Sequence, residues 1–117
     1  MTLRTEKVAS LIKREIGAMI SLRYQGPEYG LVTVTEVRMT PDLKIAKVYV
    51  SILGSEEVKK NTLKQLDLDR KAIRGYLGSN IRMKFTPEVQ IYIDDTMDRM
   101  DKINRIINRI HSSEDES

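Results

Sequence analysis

The chain has 117 residues, no cysteine and one histidine, and 20 lysines and arginines against 17 acids give a formal charge of +3. One domain with one core fits this length, while the lack of cysteine excludes disulfides and thiolate zinc sites and suits a reducing cytoplasm. Glu114, Asp115 and Glu116 fall in the polar run HSSEDES, read as a disordered acidic tail over 111–117, and setting them aside leaves 14 acids against 20 bases. That surplus leans toward an anionic partner, although a solvated surface explains it equally well. Lys13, Arg14 and Glu15 interrupt the apolar residues of the N-terminal segment, so a secretory signal is not expected. No apolar run approaches the ~20 residues of a membrane span.

In chain order, Val8, Leu11, Ile12, Ile16, Met19 and Ile20 recur at three and four residues and predict a first helix over about Thr2–Leu22. Arg4, Lys7 and Arg14 flank its apolar stripe, and Gly17 within it marks a close approach of another backbone. Arg23–Gly30, with Gly26 and Pro27, reads as a loop. Val32–Ser51 then spells two strands of period two: Thr33, Thr35, Val37 and Met39 alternate with Val34, Glu36 and Arg38, and Ala46, Val48, Val50 and Ile52 with Ile45, Lys47, Tyr49 and Ser51. Thr40, Pro41, Asp42 and Leu43 form the turn, with Pro41 presetting φ at its second position.

Ser55 before Glu56 and Glu57 signals a helix start. Its apolar face of Val58, Leu63 and Leu66 does not continue, because Ala72, Ile73, Tyr76, Leu77 and Ile81 form a second stripe in a shifted frame. Two helices meeting at a break within Asp67–Lys71 account for the shift, with Asp67 or Asp69 capping the second and Gly78 its C-terminal cap. Phe85, Val89, Ile91 and Ile93 alternate with Thr86, Glu88, Gln90 and Tyr92 in a third strand, whose Pro87 places its start at an edge or bulge. A two-helix crossover makes this strand parallel to an earlier one. Asp95–Ile110 sets Met97, Met100, Ile103, Ile106, Ile107 and Ile110 on one side of a final helix.

Three stretches, in this order, resemble the ribosome-binding factor A family: RTEKVASLIKREI at its first helix, TVTEV with TPDLKIAKVYVS at its hairpin, and IRMKFTPEVQIYID at its last strand. The resemblance implies an α+β fold of one KH-like domain over residues 1–94, the helix-first type II variant, in the order αββααβ, followed by a C-terminal helix over 95–110. The usual KH module clamps RNA with a GxxG loop, whereas this family has an interhelical kink marked by alanine, any residue and glycine. Asp69, Arg70 and Lys71 occupy those positions here, so the signature is absent and two cations stand at the kink. Gly75, Tyr76, Leu77 and Gly78 spell GxxG literally, yet they fall on the apolar stripe of a helix rather than in a loop.

The resemblance further implies a non-enzymatic, cytoplasmic monomer that binds 16S rRNA on free 30S subunits near its 5′-terminal helix region and assists late maturation. Lys44, Lys47, Arg70, Lys71, Arg74, Arg82 and Lys84 are the expected phosphate contacts, and no cofactor, metal, membrane or small-molecule substrate is expected. Lys47, Tyr49 and Tyr92 are expected on the open sheet face, where the tyrosines either stack on bases or serve as amphipathic surface. Against catalysis, His111 lies in the tail, no GxxxxGK loop occurs, and Asp94 with Asp95 is a lone acidic pair. Alternative readings are a KH-type module for another RNA, or an interaction module docking through the C-terminal helix.

Overall fold

Ile12, Ile16 and Ile20 stand four residues apart, and they are fully buried along one side of the first helix, α1 (Leu3–Arg23). The computed structural model describes residues 3–94; the expected C-terminal helix, with Asp95, and the tail containing His111 lie outside the described residues. Thr5, Ala9 and Met19 complete the buried row of α1. Leu11, expected in it, is exposed, because it lies about 100° around the helix from Ile12. Gly17 faces open space rather than a neighbouring backbone.

The hairpin pairs β1 (Leu31–Met39) antiparallel to β2 (Ile45–Leu53). Alternation in β2 is strict, with Ala46, Val48, Val50 and Ile52 buried. In β1 it is not: Val32 and Val34 are buried, and then Val37 and Met39. A β-bulge at Thr35 resets the phase, since Val34 pairs with Val50 but Glu36 with Tyr49. Thr33 and Thr35 therefore do not share a face with Val37 and Met39, as period two alone predicts. The extra residue lets both halves of the strand reach the core, and the Thr35 hydroxyl donates to Asp94 (2.6 Å).

At the turn, the Leu43 amide donates to the Thr40 carbonyl (2.9 Å), and the Asp42 carboxylate accepts from the Thr40 hydroxyl (2.6 Å) and the Lys44 amide (3.1 Å). Those hydrogen bonds hold the Asp42 carboxyl below the ordinary aspartate range. Leu43 adopts φ 60°, a left-handed conformation that its packing against the core offsets.

Ser55 caps α2 (Glu56–Leu68) by accepting from the Val58 amide (3.2 Å). Gly30 has φ 65°, and a Cβ there would collide with the Leu53 carbonyl, so glycine lets the loop close over the end of the hairpin. Buried Thr62 donates to the Tyr29 carbonyl (3.0 Å), tying the same loop to α2. After one non-helical residue, α3 (Arg70–Asn80) begins, with Ile73 and Leu77 fully buried and Ala72 exposed on its flank. The break thus falls within the expected segment, at Asp69. The edge strand β3 (Glu88–Ile93) lies parallel to β2, giving sheet order β1-β2-β3. The order α-β-β-α-α-β follows the helix-first KH-type plan, with α1 packed on β1 and α3 on β3.

Candidate nucleic-acid interface

A groove of ≈ 820 Å³ opens where α3 begins, and Lys44, Arg70, Lys71 and Arg74 line it. Arg70 and Lys71 occupy the first turn of α3, and Arg74 follows one turn later on the same side. Lys44 arrives from the far end of the hairpin turn. Its carbonyl accepts from the Glu88 amide (2.8 Å) where β2 and β3 begin to pair, and this parallel register carries it to the groove. No acid occupies the first turn of α3. Cations there work against the helix dipole by roughly 0.3–1 kcal/mol each, so helix stability is not their purpose. Asp67 and Glu88 also line the groove, so four cations against two acids leave a positive surplus at its mouth.

The four cations are not equivalent. The Arg70 guanidinium donates to the Asp67 carbonyl and pairs with its carboxylate, both at 3.1 Å. Arg74 donates to the Thr86 carbonyl (3.0 Å), holding the loop before β3 against α3. Lys44 and Lys71 are exposed. Arg82 and Lys84 do not enter a strand, because β3 starts only at Glu88; they line a separate hollow of ≈ 640 Å³ formed by residues 78–84. Lys47 lies apart from both, on the open face of the sheet, paired in register with Arg38 and Gln90. On that face Tyr49 and Tyr92 stack on each other (5.5 Å between centroids), and Arg38 covers Tyr49 at 5.5 Å. Glu36, hydrogen-bonded to Arg38 (2.8 Å), raises the guanidinium above its ordinary value. Tyr49 thus sits between a cation on β1 and a ring on β3, and this packing leaves it poorly placed to receive a base.

The GxxG tetrad lies inside α3 with Leu77 fully buried, a helix surface rather than a phosphate clamp. Gly78 is not the C-terminal cap, since α3 continues to Asn80 and Ile81 leaves it in extended geometry. A Cβ at Gly78 would meet Thr86 Oγ1 at 3.0 Å, so the glycine lets the loop before β3 lie close to the helix.

Two features escaped the sequence patterns. Phe85, expected within the strand alternation, stands in the loop before β3, 74% exposed, on the rim of the cationic groove. The kink, which lacks its family signature, is instead tied by side chains. Asp69 caps nothing with its carboxylate; it accepts from the buried Tyr24 hydroxyl (2.5 Å) and from Gln65 Nε2 (3.1 Å). Tyr24 extends the four-residue spacing of Ile16 and Ile20, which is the signal that could have found it.

Burial first, and then the hydrogen bond and charge of Asp69, push the Tyr24 hydroxyl above the ordinary tyrosine range. A raised folded-state pKa contributes stability that is fully present below the unfolded value of about 10 and is lost as pH rises through the folded one. Tyr24→Phe should therefore lower stability by roughly 1.5–3 kcal/mol at neutral pH, the worth of a hydrogen bond to a charged group. The two melting curves should begin to converge above pH ~10. Parallel melting-temperature profiles from pH 7 to 11 would show that the Tyr24 bond does not hold the kink.

Among the described residues no cluster of His, Asp or Glu is arranged to hold a metal ion, and no helix is long and apolar enough to cross a membrane. The sequence profile of the family described as Ribosome-binding factor A matches residues 4–107. Solved structures agree in fold. The crystal structure of ribosome-binding factor A from Thermus thermophilus superposes with a TM-score of 0.66 at 24% identity, covering 76% of this chain and 93% of that one. The solution structure of a candidate ribosome-binding factor A from Thermotoga maritima gives a TM-score of 0.64 at 30% identity over 77% and 86% of the two chains. A Thermus thermophilus homology model fitted into a cryo-EM map of a 30S complex with the factor gives 0.63 at 23% identity, over 74% and 90%.

Proposed function

The chain belongs to the ribosome-binding factor A family, and on that premise we propose that it binds free 30S subunits through 16S rRNA and assists late maturation of the small subunit. The observation that carries this reading is the meeting of Lys44, remote in sequence, with Arg70, Lys71 and Arg74 in one groove at the interhelical break. A related factor fitted into a 30S complex supports the same choice of partner. Residues 1–94 are the RNA-binding domain in this reading. The protein acts as a cytoplasmic monomer near the 5′-terminal helix region of the rRNA, through binding energy and without a covalent step, and leaves before translation. Arg82 and Lys84 extend the contact from the groove along the loop, and Lys47 marks its outer limit on the open face of the sheet.

Sedimentation tests it. The protein should travel with free small subunits and be absent from polysomes. If all seven cations meet phosphates, the logarithm of affinity should fall with the logarithm of salt with a slope of roughly 5 to 6. Recovery with polysomes, or in no ribosomal fraction, would reject the proposal, and an affinity flat in salt would instead favour an interaction module.

A further inference from the structure

We propose that the groove takes single-stranded RNA, with the Phe85 ring as the platform on which one unpaired base stacks while Lys44 and Lys71 hold the adjoining phosphates. The inference rests on the RNA-binding reading above and deepens it. Phe85, 74% exposed, and Leu68, 69% exposed, line the same groove and give it exposed apolar surface. Apolar surface concentrated among cations suits a partner that offers both flat apolar faces and negative charge.

The loop that carries Phe85 is fixed directly after the ring. Arg74 holds the Thr86 carbonyl (3.0 Å), Pro87 is fully buried, and the Glu88 amide is bonded to Lys44. Anchoring of residues 86–88 reduces the backbone ordering left to do when a base meets the ring. Lys84 Nζ stands over one face of the ring, 5.8 Å from its centroid, so a base would stack on the opposite face; Tyr49, by contrast, is covered by both Arg38 and Tyr92.

The exposed ring, more than the charges, separates RNA from an acidic peptide, because only RNA carries a flat base beside each phosphate. Arg70 is engaged in part by Asp67 and Arg74 by Thr86, which leaves Lys44 and Lys71 as the exposed point charges of the groove. The ammonium groups of Lys44 and Lys71 act as point charges, which suit phosphate oxygens. A duplex keeps its bases stacked inside, so only an unpaired segment can offer a base to the ring.

The chain contains no tryptophan, so Phe85→Trp places a single indole on the platform. Its emission should be quenched by an unstructured oligoadenylate and not by an RNA duplex of equal phosphate count. Phe85→Ala should weaken oligoadenylate binding roughly 5- to 150-fold, with the salt slope and melting temperature unchanged, and Phe85→Tyr should restore most of the loss. If wild type and Phe85→Ala bind with equal affinity and a normal salt slope, the platform is wrong while the RNA-binding reading stands. Quenching by polyglutamate as strong as by oligoadenylate also overturns it. Should wild-type protein bind neither RNA nor free small subunits, both readings fall together.

Discussion

Leu77→Asp is expected to abolish cooperative folding or to lower the melting temperature by tens of degrees. Leu77 is fully buried on α3 between Ile73 and Ile81, in the core shared with α1 and the sheet. The substitution removes a leucine's burial, about 1.5–3 kcal/mol, and places an unpaired carboxylate where water cannot reach it, which costs several kcal/mol more. A domain of this size holds only about 5–15 kcal/mol in total. Circular dichroism during heating would measure the loss. Gly75→Ala is the companion, because a Cβ at Gly75 meets nothing within 4 Å and alanine in a helix interior is favoured by about 1 kcal/mol. It should melt at or above the wild-type temperature and keep its RNA affinity. A folded Leu77→Asp protein, or loss of RNA binding in a stable Gly75→Ala protein, would return the GxxG tetrad to the role of a phosphate clamp.

The second large effect is expected at the groove. Lys44→Glu combined with Lys71→Glu should reduce affinity for free small subunits by about a hundredfold near ~0.15 M salt, since two phosphate contacts are lost and two repulsions added. The salt slope should fall by about two or more. Both side chains are exposed, so the melting temperature should change little. The same exchange at Lys47 alone should have a smaller effect, because that residue lies on the open sheet face. Equal losses at Lys47 and in the groove would instead move the contact onto the sheet.

Most of the fold was legible because its signals are local. The four-residue row of isoleucines, the strict alternation of β2, the hydroxyl of Ser55 before two glutamates and the slipped apolar frame at Asp67–Lys71 each reflect backbone geometry over a few residues. The parallel placement of β3 followed from connection length alone.

Three of the features that the pattern missed share one physical origin. The bulge at Thr35, the exposed position of Phe85 and the bond from Tyr24 to Asp69 depend on partners far along the chain. Period two places Phe85 in a strand, yet the strand cannot start until Glu88, where the β2 backbone offers its first hydrogen-bonding partner at Lys44. The same dependence governs the site. Seven cations could be chosen from charge and family resemblance, whereas their division among groove, loop and sheet face required the tertiary structure. Sequence by itself determined which segments are helix and strand and that the body is cationic, because propensity, periodicity and charge are properties of neighbouring residues. Only the tertiary structure decided which cations share a surface and which aromatic ring stands among them, because side chains remote in sequence become neighbours only through the pairing of β3 with β2 and the packing of α3 beside it.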